Sequence, residues 1–375
     1  MKKLFTSFLL LPFALLNSQI VTISDKYPVF FSLGTSVNNT SNLYNVNEDV
    51  TETVTTLSPG LMLNLSSDAS NLNLNVSASS QIKKYQKNDN LDSNYFQIRS
   101  SASFSTPKSS LSTSASFAEM ASEGDDPLDD GEAGRLLARD MTNFSVNASY
   151  NLSVKFSIDT AYSFSRTDQA ASSSSFDRDS VSIPLDIYYN YSEKSAVGIG
   201  YKHTKDGYDE VNDTRKSYVY LKIKGEIYPK LLANASIGYT ETNFNDGSAS
   251  NLGSDINLTH LYSSKSRFVL GLSRSFAPRA TGDEVLDTSL TLTGSHTFTP
   301  IISGSASGSY RVSEYTGTKN REDESRSINA SINYKFTPKA SISGNVSFRE
   351  NTSSGAEKGD DYIAQSFTLS AKFKY

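Results

Sequence analysis

The sequence predicts an all-β chain, a transmembrane antiparallel up-and-down β-barrel of about eighteen strands, with sixteen as the alternative count. Short turns are expected on the periplasmic side and longer loops outside. Three observations carry this reading. Apolar and polar residues alternate with period two along the chain, an aromatic residue beside a tight turn recurs every 34 to 46 residues, and the amino terminus has the build of an export signal.

The amino-terminal segment opens with Lys2 and Lys3, continues as the apolar run Leu4 to Leu16, and reaches a small residue at Ser18. A helix needs ~20 apolar residues to cross a bilayer, so this shorter run predicts a cleaved signal over 1–18 and a single barrel domain over 19–375. Without Lys2 and Lys3 the chain keeps 33 basic residues against 40 acidic, a net of −7. That balance suggests no nucleic-acid partner. Cysteine is absent, which excludes disulfides and thiolate chemistry. Ser, Asn and Thr are abundant and large aliphatics sparse, too little for a soluble core of this length. A barrel resolves this, because only alternate residues need meet lipid.

The alternation is explicit. Leu72, Leu74, Val76 and Ala78 interleave with Asn73, Asn75, Ser77 and Ser79, and Ile328, Ala330, Ile332, Tyr334 and Phe336 with Ser327, Asn329, Ser331, Asn333 and Lys335. The aromatic markers are Phe104, Tyr150, Tyr191, Tyr228, Tyr262, Phe298, Phe336 and Tyr375, with Leu65 as a non-aromatic first member. Turns such as Ser105-Thr106-Pro107-Lys108 and Thr337-Pro338-Lys339 follow them, where Pro fits because it need not donate to a ladder. Longer polar connections are expected near 38–52, 84–93, 120–141, 167–178, 205–214, 243–250, 278–285, 315–325 and 350–361. A soluble propeller also repeats at about 40 residues, but its Trp-Asp signature is missing, since the chain has no Trp.

The last strand places Phe367, Leu369, Ala371, Phe373 and Tyr375 at every second position, which looks like the carboxyl-terminal signal that barrel-assembly machinery reads. Strands span hydrocarbon only when the sheet closes and every backbone group is paired. The predicted segments are ~9 to 12 residues, as a tilted transmembrane strand requires. Tyr150, Tyr191, Tyr228 and Tyr262 are then expected to form an interfacial girdle. Inward positions such as Ser303, Ser305, Ser307 and Ser309 are too small to fill such a barrel, so a water-filled lumen is expected.

Along the inward phase, Arg99, Lys155, Lys202, Lys222, Lys224, Arg311, Lys335, Arg349, Lys372 and Lys374 outnumber Asp159, Asp186, Glu226 and Asp255. A charged lining concentrates solutes of opposite sign. The third outer loop carries Glu123, Asp125, Asp126, Asp129, Asp130 and Glu132, which either fold inward as a constriction or form a solvated surface loop. Of three histidines, only His203 has a nearby acid in sequence, Asp206. No nucleophile–base arrangement, metal spacing or phosphate loop accompanies it, so no enzyme activity, metal or cofactor is expected.

The unit of an aromatic, then Thr-Pro-Lys or Ser-x-Lys-Ser, then an alternating strand recurs at Tyr191 to Tyr201, Tyr228 to Tyr239, Tyr262 to Leu272, Phe298 to Tyr310 and Phe336 to Phe348. It resembles the second-type β-barrel porins and the barrels that accompany exopolysaccharide export. The resemblance implies an outer-membrane channel of a Gram-negative-type bacterium and carries over no site residue. The expected function is passage of hydrophilic, anionic solutes or exported polysaccharide. The alternative is a closed structural or surface-binding barrel. Expected partners are outer-membrane lipid, lipopolysaccharide, barrel-assembly machinery and polysaccharide-export components.

Overall fold

A computed structural model describes residues 21–22, 28–47, 49–67, 71–121, 138–169, 176–209, 213–244, 247–279, 283–315 and 320–374. The expected signal over 1–18, the acidic residues Glu123, Asp125, Asp126, Asp129, Asp130 and Glu132, and the terminal Tyr375 lie outside these residues.

Alternation becomes strand after strand. A two-residue β1 (Val21–Thr22) is followed by β2 (Pro28–Thr40), β3 (Glu52–Ser67), β4 (Leu72–Tyr85), β5 (Ser93–Ser105), β6 (Ser109–Ala121), β7 (Ala138–Asn151), β8 (Phe156–Gln169) and β9 (Arg178–Asn190). The second half continues with β10 (Ser195–Tyr208), β11 (Thr214–Tyr228), β12 (Leu231–Phe244), β13 (Gly247–His260), β14 (Ser266–Pro278) and β15 (Glu284–Thr299). It ends with β16 (Ile302–Tyr315), β17 (Arg321–Thr337), β18 (Ala340–Gly355) and β19 (Tyr362–Lys374). Each strand from β2 pairs antiparallel with the next, and β19 pairs back onto β2 from Ser366↔Thr40 to Lys374↔Ser32. The result is a closed barrel of eighteen strands, which removes the alternative of sixteen. β1 adds only Val21↔Val29 and Thr22↔Pro28.

One face of the wall is greasy and bare. Ile183, Leu185, Ile187 and Tyr189 on β9, Val197, Ile199 and Tyr201 on β10, and Val219 and Leu221 on β11 are all exposed. At its short-turn end stand Tyr150, Tyr191, Tyr228, Tyr262, Phe298 and Phe336, also exposed, as an interfacial girdle requires. On β19, Phe367 is exposed, whereas Ala371 and Phe373 are buried with Ala340. The Phe373 ring lies 6.3 Å from that of Phe336, so the last greasy positions pack within the girdle.

Two expectations about the outer ends are corrected. The eighteen strands of the barrel, β2 to β19, run 13 to 17 residues, longer than the membrane band needs, so the wall rises above it. Residues 321–325 read as loop because they are charged, yet they belong to β17, where ion pairs replace apolar packing: Arg321 with Asp323 at 2.7 Å and Arg326 with Glu324 at 3.2 Å. Likewise 243–250 is no long connection. β12 and β13 pair as far as Phe244↔Gly247, leaving only 245–246 between them. Asn245-Asp246-Gly247 is turn chemistry suited to a two-residue hairpin, and its polarity disguised it as loop.

The opposite face lines the lumen, and its two sides differ. From β16 to β19 and round to β7 small polar residues predominate and pair across strands, with Arg99, Arg311, Lys335 and Arg349 standing among them: Ser305 with Ser331 at 2.8 Å, Ser309 with Ser327 at 2.7 Å, Ser347 with Ser366 at 2.6 Å and Ser114 with Ser145 at 2.8 Å. From β8 to β13 it carries large charged and aromatic groups, and these form the candidate site.

Candidate functional site: the channel lumen and its mouth

The inward phase of β11 reads Lys216, Tyr218, Tyr220, Lys222, Lys224 and Glu226, against the lipid-facing Val219 and Leu221. Their partners come from neighbouring strands. Lys222 Nζ lies 2.7 Å from Asp186 Oδ2, and Asp186 also accepts from Tyr220 Oη at 2.5 Å and Tyr188 Oη at 3.2 Å. Lys224 Nζ lies 2.6 Å from Asp159 Oδ2 and 3.7 Å from the centre of the Tyr188 ring, while Ser149 Oγ donates to Asp159 at 2.7 Å. Tyr188 and Asp186 are buried although they face the lumen, because these groups cover one another.

Glycines make room for this layer. Gly200 on β10 stands between Asp186 and Tyr220 in the ladders. Tyr220 crosses it to reach Asp186, so any Cβ at Gly200 would overlap both side chains. At Gly238 on β12 a Cβ would fall on the Val219 carbonyl and on Tyr220.

The expected pore-lining residues therefore separate into groups. Asp159, Asp186, Lys222 and Lys224 face inward but neutralise one another. Glu226 faces inward at the short-turn end, held by Lys194 Nζ at 2.9 Å and the Lys230 N–H at 3.1 Å. Lys155 is corrected: it sits in the turn before β8, its Nζ 5.9 Å from the ring of the outward Tyr189, because β8 begins at Phe156, two residues later than the Val154 start the alternation suggested. Arg99, Lys202, Arg311 and Lys335 keep to the inward phase of β5, β10, β16 and β17 and have no ion-pair partner among the described residues. Arg349 on β18 lines a polar cavity of about 350 Å³ with Lys83, Tyr85, Asn42 and Gln365. His203 and Asp206 stand one strand position out of phase, on opposite faces of β10, so they form no pair.

The outer mouth is narrowed from two sides. The first outer loop turns inward: Leu43 packs on Val54 and Tyr85, inward residues of β3 and β4. Glu52, fully buried, secures it by accepting from the N–H groups of Thr53, Gln86, Lys87 and Asn88 at 2.8 to 3.1 Å and from Asn88 Nδ2 at 2.7 Å. A third of the way round the rim, the outer ends of β14 and β15 fold into the barrel. Phe268, Leu270 and Leu272 are exposed to lipid, yet Phe276 in the same phase is buried; Leu290 and Leu292 are exposed, yet Leu286 and Glu284 are buried. Glu284 Oε1 meets the inward Lys216 Nζ at 2.9 Å, beside Asp206 Oδ2 at 3.1 Å. From the tip's other side Arg279 reaches Asp287 at 3.0 Å and Ser313 Oγ at 3.3 Å.

Sequence reasoning missed this tip, because 278–285 reads as an ordinary loop. The signal lay in its neighbours: bulky residues crowd the inward phase of β11, facing a hairpin whose lipid-phase positions continue greasy to Leu286.

These features define an outer-membrane β-barrel. No family model matches the chain, and no curated relative does. Solved structures with the same fold include Pseudomonas aeruginosa OpdK with vanillate (13% identity, 92% of this chain and 99% of that one, TM-score 0.50). They also include P. aeruginosa OccK2 (OpdF) in complex with glucuronate (10% identity, 92% and 98%, TM-score 0.50) and Acinetobacter baumannii OccAB4 (13% identity, 96% and 100%, TM-score 0.50).

Proposed function

We propose that the chain is an outer-membrane channel for small hydrophilic solutes, with carboxylates preferred. The carrying observation is the asymmetry of pairing: of the inward acids, Asp159, Asp186 and Glu226 are each held by a lysine and Asp255 alone has no ion pair among the described residues, while four bases, Arg99, Lys202, Arg311 and Lys335, keep none there. The residual field favours anions. The ligands named for OpdK and OccK2, vanillate and glucuronate, are both carboxylates and agree with this reading. The partners follow from the location: outer-membrane lipid and lipopolysaccharide around the barrel, and the assembly machinery through Phe367, Leu369, Ala371, Phe373 and Tyr375. No catalytic role, cofactor or metal belongs to this reading.

Reconstitution in planar bilayers tests it. The expected result is small open-channel steps with a reversal potential favouring chloride over potassium, and reduced current when glucuronate is added. No current at any potential would favour a closed structural barrel instead, a reading that the two inward-turned outer segments support. Export of an anionic polysaccharide is the finer alternative; it requires a path wide enough for a polymer, and a null mutant that loses extracellular polymer would establish it. Deleting 123–139 raises conductance if the acidic third loop adds to the constriction.

A further inference from the structure

The inward hairpin leaves a defect in the wall. β13 and β14 are joined by only seven residue pairs, Ser254↔Arg274 to His260↔Phe268, whereas β12 and β13 stay paired to Phe244↔Gly247 and β14 and β15 to Pro278↔Glu284. Above Ser254 the two strands part. Arg274 spans the parting, with Nε donating to Asn251 Oδ1 at 3.1 Å and Nη1 to Thr288 Oγ1 at 2.8 Å, and Tyr218 Oη donates to the Gly253 carbonyl at 3.3 Å. The parting starts at the upper edge of the lipid-facing band, since Leu272 below it and Leu252 beside it are both exposed.

Behind it lies a cavity of about 480 Å³ whose lining runs from the luminal Lys202 and Asp255, past Tyr218, to Gly253, Arg274 and Phe276 at the parting. Such a volume suits a molecule of a few tens of atoms. Its inner end offers the Lys202 ammonium, and its outer end offers the ring of Phe276, buried behind the parting. We propose that this is a side door: a small amphipathic anion, such as a medium-chain carboxylate, passes between the lumen and the outer leaflet between β13 and β14, with its head at Lys202 and its tail toward Phe276. Hydrophilic solutes take the axial path. This extends the channel reading to a second class of carboxylate and a second exit.

The chain lacks cysteine, so a double variant Ser250→Cys with Ala277→Cys, on the two parted edges, can be stapled by a reducible bis-thiosulfonate linker. The protein is embedded in lipid vesicles with a diazirine-bearing ten-carbon carboxylate, photolysed, and mapped by mass spectrometry, while gluconate current is measured on the same protein. Labelling of the Tyr218 and Phe276 peptides is expected, with at least a fivefold loss on stapling and recovery on reduction, and gluconate current within twofold throughout. Pocket labelling that ignores the staple, or falls together with the current, overturns the side door; so does equal labelling by the matching ten-carbon alcohol, which lacks the anionic head. Absence of current before stapling would instead overturn the channel reading, whatever the labelling shows.

Discussion

Glu52 is enclosed by polar groups rather than by an opposing cation. Four backbone N–H groups and one amide converge on its carboxylate, and each bond to a charged acceptor is worth about 1.5–3 kcal/mol while an orphaned buried donor costs about 1–3. Glu52→Ala is therefore expected to release the first outer loop from residues 86–88, read as a hundredfold or larger rise in amide exchange at Lys87 and Asn88, with the barrel below intact. Beside that loop, in the connection between β18 and β19, the Lys358 side chain and the Ser353 N–H hold Asp361 below its ordinary carboxylate range. The sign follows: a depressed value contributes order above the unfolded pKa and loses it as pH falls through the folded one. The Ser353 amide resonance is expected to keep its position at neutral pH and to shift only below pH 3.8. Neither arrangement was legible in the sequence, because each depends on backbone donors brought together by turns.

At the scale of strands and hairpins, alternation was enough to place nearly every element, since a slip of one residue would turn a whole strand inside out. It failed where packing replaced lipid as the force acting on a face. Lys155 lost its phase at a turn, 243–250 tightened into a hairpin, and 276–279 with 283–286 left the wall. The glycine positions give this a test. At Gly238 an added methyl meets backbone, which cannot move aside, so Gly238→Ala is expected to lower stability by about 1–3 kcal/mol in urea unfolding from lipid vesicles. Gly344→Ala is the control: its Cβ would touch only Ile332 Cγ2 at 3.8 Å, an ordinary contact. Breaking the tip's anchor with Glu284→Gln leaves Lys216 and Asp206 paired and is expected to widen the mouth, seen as more frequent or larger conductance steps.

For the whole molecule, a tally of inward charges counts groups that the structure pairs with one another, such as Lys222 with Asp186. Pairing decides what a solute meets, and pairing joins residues on strands far apart in sequence, such as Lys224 with Asp159. Asp186→Asn removes the counter-charge of Lys222 while keeping an acceptor for Tyr220. It is expected to raise chloride-over-potassium permeability by about threefold, read from the reversal potential under a salt gradient.

The junction of β19 with β2 sets the order of assembly. Thr368 Oγ1 donates to Asn38 Oδ1 at 3.0 Å across a separation of 330 residues, so the earliest strand to emerge waits for the final one. Until then the nascent sheet has two raw margins, each able to recruit a foreign strand. A chain stopped short of Tyr362 would carry both margins permanently, and its fate is aggregation or degradation rather than a narrower pore.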